Sequence, residues 1–146
     1  RAAFLDRVLR YGALKLLSLR AVFGTLIWGM TALGKSYDEA LNQLQQRPQV
    51  FVKLSAVIHR VNGQVSTSLA SYRDRLDQLL ARFGEDRVVF GSDWPNSDGV
   101  APIDKVVGIV REFFQTQPQR VAEKYFWKNS LAAYKWIKRE PAQPTL

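Results

Sequence analysis

Residues 88–99 read VVFGSDWPNSDG, and the fold turns on how that stretch is read. A strand expected over residues 87–91, apolar from Val88, stops short at Asp93, with Trp94, Pro95 and Asp98 crowded in behind it. β-Branched and aromatic residues in such a run suit a strand that is covered on both faces. Asp, Asn, Ser and Pro are turn residues, so the plain reading of Asp93 and Asp98 is a bend into the next helix. For Asp98 that reading is preferred. For Asp93 there is a sharper one: a buried strand that ends in a carboxylate fixes it in place, where it takes a proton from water if the two are within hydrogen-bond reach.

Working outward, VFVKLSAV at 50–57 has the same composition, interrupted only by Lys53 and Ser55, whose alternation with apolar residues turns both toward one face. Between these runs lies SYRDRLDQLLARFG at 71–84. It presents Tyr72, Leu76, Leu79, Leu80 and Phe83 at helical spacing and ends on Gly84, a natural C-cap. Upstream, Ser36 and Glu39 have the spacing of a capping box, Ala40, Leu41 and Leu44 form an apolar face, and Pro48 stops the helix. Downstream, Pro102 opens a helix that buries Val106, Val107, Val110, Phe113 and Phe114. Two shorter helices are expected at about 118–126 and 130–138. Asn129 would be the N-cap between them, and Ala133, Trp136 and Ile137 would face inward.

Strands alternating with helices of this length imply parallel pairing through right-handed crossovers. Two strands make a poor sheet unless TLIWGM at 25–30 supplies a third. The chain therefore reads as α/β and as a piece of a larger barrel. Three segments are expected: a basic and apolar N-terminal segment at 1–35, the βα units at 36–140, and a frayed tail at 141–146.

Composition narrows the chemistry. The 146 residues include no cysteine, which excludes disulfides and thiolate metal sites, and His59 is the sole imidazole, so no multi-histidine zinc site can be assembled within the chain. The net charge is +8, and residues 1–35 carry six bases against Asp6 alone. A basic module that binds a polyanion is thus one reading, but no aromatic residues interleave with those bases and no nucleic-acid motif is present. Residues 21–34 carry no charge, yet the stretch is short of the ~20 residues needed to span a bilayer. A buried helix is favoured over a signal segment or an anchor. The partners expected are small molecules rather than nucleic acid or membrane, and the location expected is cytoplasmic.

Taken together, FGEDRVVFGSDWP, the preceding VFVKLSAV and the later FWKNSLAAYKW resemble the C-terminal end of the amidohydrolase-related family, metal-dependent hydrolases with a TIM-barrel fold that include lactonases. The match covers about residues 48–138. TALGK at 31–35 is faintly similar to the family's DHLGK segment, but Ala32 stands where the histidine would be. The resemblance implies that VFVKLS and RVVFGSD are the seventh and eighth strands of a (β/α)8 barrel, so that the chain holds its last two βα units, its terminal helices and an N-terminal helical segment. Asp93 then stands at the C-terminal mouth, as metal ligand or as the base that activates water. Arg60 at the same mouth is a candidate clamp for a substrate carboxylate, Trp94 a pocket wall, and His59 and Ser55 further substrate contacts.

The implied substrate is a lactone, ester or amide, and the implied cofactor of the complete fold is a zinc-like divalent metal that this chain alone is not expected to hold. The family's HxH pair and middle histidines have no counterpart here. The chain is therefore expected to be partial and inactive in isolation, self-associating or pairing with the N-terminal part of a barrel, the alternative being a non-catalytic barrel fragment that serves as an interaction partner.

Overall fold

The computed structural model describes residues 21–26, 34–61 and 63–143. Its centre is a parallel sheet of β1 (Ala21–Leu26), β2 (Val50–Ser55) and β5 (Val88–Phe90), in that spatial order. β1 pairs with β2 residue for residue, from Ala21 opposite Val50 to Leu26 opposite Ser55. β2 pairs with β5 from Val52 opposite Val88 to Leu54 opposite Phe90. A short antiparallel hairpin, β3 (Arg60–Val61) and β4 (Gln64–Val65), follows β2.

β1 corrects the expectation of an N-terminal helical segment. Residues 21–26 are a strand, overlapping TLIWGM only at its first two positions. Val22, Phe23 and Thr25 are β-branched or aromatic, and their partner strand offers a full ladder. Residues 1–20 lie outside the described residues.

Helix α1 (Gly34–Gln45) joins β1 to β2. It starts before Ser36, so Ser36 lies within the helix rather than capping it. A turn at Leu69–Ser71 and helix α2 (Arg73–Phe83) lead to β5. Gly84 closes α2 at φ 73°, donating its N–H to the Leu80 carbonyl at 2.8 Å, a left-handed conformation that glycine adopts without a Cβ penalty. Helix α3 (Ile103–Gln115) buries Val106, Ile109, Val110, Phe113 and Phe114, while Val107 is only half-buried.

The strands run in sequence order with their connecting helices against one face. On that face Val50, Val52, Leu54 and Val88 join the core with Leu41 and Leu44 of α1, Leu76 and Phe83 of α2 and Phe113 of α3. The opposite face carries Phe51, Lys53 and Ser55 of β2 and Val89 of β5. Phe51 and Val89 are covered at one end by Ala133.

The last helices differ from expectation. Instead of two helices capped at Asn129, a single helical run covers residues 119–133: α4 (Gln119–Glu123), a π turn at Lys124–Lys128 and α5 (Asn129–Ala133). The π turn lets Tyr125 point into the core and stack on Phe114 at 3.9 Å between ring centres. The run ends when Lys135 takes φ 52°, and the N–H groups of Lys135 and Trp136 return to the carbonyls of Ala132 and Leu131, a Schellman closure with lysine in the usual glycine position. Trp136 and Ile137 therefore lie on the surface, 47% and 79% exposed, rather than inward.

Candidate active site

Parallel strands have two unlike ends. At the C-terminal end of β5 the ladder continues for one bond, Gly91 N–H to Leu54 carbonyl at 3.1 Å, before the chain bends. Asp93 stands at the bend with φ 60°, a left-handed conformation that aspartate tolerates better than most residues. At the end of β2, Ala56 also has positive φ, 53°.

The bend is closed by groups other than the Asp93 carboxylate. Ser97 N–H donates to the Asp93 backbone carbonyl at 3.0 Å, Trp94 N–H to Ser92 Oγ at 3.2 Å, and Ser97 Oγ to the Ser92 carbonyl at 3.4 Å. A 3-10 turn at Asn96–Gly99 follows, and neither it nor α3 has a side-chain cap. Asp93 is half-buried, and none of the hydrogen bonds that close this bend uses its carboxylate. Asp98 is exposed within the 3-10 turn.

The other candidates fall unequally around it. Arg60 donates from Nη2 to the Gly99 carbonyl at 3.0 Å, which ties the β3–β4 hairpin to the loop carrying Asp93. Its guanidinium has five N–H donors, so one such bond leaves a fork for a second acceptor. Ser55 is buried at the end of β2, and its Cβ lies only 2.9 Å from where a Cβ on Gly91 would stand. His59 is half-buried and meets the Tyr72 ring edge-on at 6.0 Å between centroids. Burial lowers its pKa, with a smaller contribution from the Arg75 charge. Trp94 is 59% exposed: its ring stands out from the loop rather than being buried beneath it.

Two positions escaped the sequence reading. Gly91 is needed because β2 side chains cross its Cα closely. An isolated glycine at a strand end is itself a signal of such an approach. Ala56 carries no local signal for its left-handed backbone.

A zinc site takes three or four nitrogen, oxygen or sulfur ligands. Among the described residues no three His, Cys, Asp or Glu side chains converge. Asp93 alone does not make such a site.

At the N-terminal end of the strands, polar side chains serve the fold. Arg87 donates from Nε to the Phe83 carbonyl at 3.1 Å and from Nη1 to the carbonyls of Gln45 and Arg47, each at 2.9 Å. Buried Asn129 donates to the carbonyls of Glu85 and Val88, each at 2.8 Å. Lys124 bridges Glu85 and Asp86, each at 2.7 Å, and holds the Glu85 carboxyl below its ordinary range. A cleft of about 440 Å³ opens here, walled by Phe51, Phe83, Arg87 and Asn129. Its Arg87 and Asn129 are already engaged by backbone carbonyls.

A parallel sheet wound in sequence order, with its helices packed on one face, is compatible with one arc of a (β/α)8 barrel. The sequence matches the amidohydrolase family over residues 28–136, and the chain belongs to that family. It is similar to the L-fucono-1,5-lactonase of Burkholderia multivorans, with 30% identity over 119 residues, which is 80% of this chain and 40% of the lactonase. Its fold matches the crystal structure of a B. multivorans amidohydrolase with bound HEPES at a TM-score of 0.75 and 21% identity, over 93% of this chain and 51% of that one. A zinc-bound crystal form of an amidohydrolase from the same organism matches at a TM-score of 0.73, also with 21% identity, over 93% of this chain and 50% of that one. The chain thus spans between two fifths and about half the length of these relatives. Among the described residues no helix is long and apolar enough to cross a membrane.

Proposed function

We propose that this chain provides the Asp93 side of an active site that hydrolyses a small lactone. β1, β2 and β5 would be the sixth, seventh and eighth strands of an eight-stranded barrel, one βα unit more than the sequence alone suggested. The observation that carries the reading is the Asp93 carboxylate: half-buried at the mouth, on a left-handed backbone, with the bend closed by Ser92 and Ser97 instead. The similarity to an L-fucono-1,5-lactonase favours a sugar lactone as substrate.

Asp93 accepts a proton from water as the water oxygen adds to the lactone carbonyl carbon. The carbonyl electron pair moves onto oxygen, giving a tetrahedral intermediate. On its collapse the ring C–O bond breaks, the proton held by Asp93 passes to the departing oxygen, and a hydroxy acid results. Arg60 would hold an anionic group of substrate or product through the donors that Gly99 leaves open, and Ser55 would shape the floor beside Gly91. Trp94, projecting from the loop, forms part of the wall.

The test is hydrolysis of L-fucono-1,5-lactone and related aldonolactones by the complete protein and by its Asp93→Asn variant. Asparagine keeps the shape and tolerates the same φ, but is no base. A fall in kcat of roughly 10²- to 10⁴-fold is expected. Near-original turnover by the variant would remove Asp93 from the chemistry, and absence of turnover by the unaltered protein would sink the lactone reading.

A further inference from the structure

The face of the sheet opposite the helices carries a second charged group, Lys53. Register places it across from Val89. Its stem does not stay at that level. A Cβ built on Gly91 would lie 2.9 Å from Lys53 Cγ and 3.0 Å from its Cδ, so the methylenes climb past Val89 to the height of Gly91, two residues nearer the mouth. Side chains on strands lean along the strand direction, and lysine stems lie on apolar surface while carrying the ammonium outward. Here the stem starts beside Phe51 and Val89, which are buried on the same face, and Lys53 itself is half-buried. Gly91 is the slot through which it passes, and Asp93 follows that slot by two residues. The bend that leaves Asp93 half-buried begins at Ser92, the residue after the slot that steers Lys53.

We propose that Lys53 is a catalytic residue of this site, its ammonium facing the carbonyl oxygen that becomes negative as water adds. This rests on the hydrolase reading given above. In the addition step the new C–O bond forms, the water proton goes to Asp93 and the carbonyl pair becomes an oxyanion beside the Lys53 charge. When the ring C–O bond breaks, that pair re-forms the carbonyl and the Asp93 proton goes to the leaving oxygen. Lys53 gives up no proton in this scheme, and its contribution is greatest at the tetrahedral stage, where the oxygen charge is greatest.

A structural role, in which the stem only covers the apolar floor, makes a different prediction. Lys53→Met keeps the stem and deletes the charge, and Lys53→Arg keeps a charge. In the complete protein acting on L-fucono-1,5-lactone, K53M is expected to lose roughly 10²-fold in kcat with KM little changed, while K53R retains more activity than K53M and both melt with the unaltered protein. Gly91→Ala, which pushes on the stem, is expected to lower kcat in the unaltered background and to add little in the K53M background, because interacting residues are not additive. If K53M does not fold, K53Q gives the same reading.

Unchanged kcat in K53M, a loss confined to KM, or a Gly91→Ala effect of equal size in both backgrounds overturns the assignment while leaving Asp93 in place. Absence of turnover by the unaltered protein defeats the lactone reading and this assignment with it.

Discussion

The two ends of the sheet use polar side chains in opposite ways. At the N-terminal end, Arg87 spends its donors on three carbonyls from two different connections, and Asn129 spends its amide on two more. At the C-terminal end, Asp93 is held by its backbone while its carboxylate is left out of the bend, and Arg60 uses one donor on Gly99. A group most of whose hydrogen bonds are spent on the fold stabilises it and has little left for a substrate. A group positioned by backbone and neighbours, with its capacity open, contributes little to stability and is available for chemistry. In barrel proteins this division falls along the strand direction.

The largest expected effects test each end for what the other should not show. Asp93→Asn should abolish most lactone turnover yet shift unfolding by no more than about 0.5 kcal/mol, as for a substitution that touches no core contact, cap or network. Denaturant midpoints of the two proteins would show it. A large loss of stability would mean that the carboxylate belongs to the fold after all.

Arg87→Met should do the reverse. Hydrogen bonds to charged groups contribute about 1.5–3 kcal/mol each, and this guanidinium is only half-buried, so a loss of roughly 3 kcal/mol is expected for the three together. The variant's kcat, measured well below its melting temperature, should stay near the original. Asn129→Ala comes next. It strands two carbonyls around a buried site, at a cost of about 2 kcal/mol, and should likewise spare turnover.

The same contrast explains what the sequence made legible. α2 and α3 could be read because each repeats the helical period over its length, and β2 and β5 because each is a short β-branched apolar run bounded by turn residues, with Asp93 just beyond the end of β5. β1 was read only as a possible strand at 25–30 within a stretch favoured as a helix, because an uncharged stretch containing Gly24 and Gly29 does not distinguish a buried strand from a buried helix by periodicity. Asn129 resembled a cap because asparagine often is one, but the π turn carries the helix through it, and its real partners lie 44 and 41 positions away. The stop at Lys135 lacked the glycine that usually marks it. Arg87 gave no local signal either, since the carbonyls it gathers come together only when α1 and α2 pack on the sheet. The left-handed backbone at Asp93 was hidden for a related reason: aspartate is compatible with it but does not demand it.

The smallest expected effect concerns His59, which lies beyond β2 at the mouth but is turned toward Tyr72 rather than left open. Burial, with help from the Arg75 charge, lowers its pKa below 6.5 in the folded protein. As pH falls through about 6.5 the unfolded imidazole takes up a proton before the folded one does. The unfolded state then binds more protons, so stability is full above that pH and declines as pH drops toward the folded pKa. His59→Gln should flatten this slope between pH 7 and 5 while leaving stability at pH 8 nearly unchanged. Carboxylate titrations, Glu85 among them, act lower and remain in both proteins, so the difference between the two pH profiles isolates the imidazole. Identical slopes would place His59 in solvent in the folded state, and would move it from the fold-serving group to the open groups of the mouth.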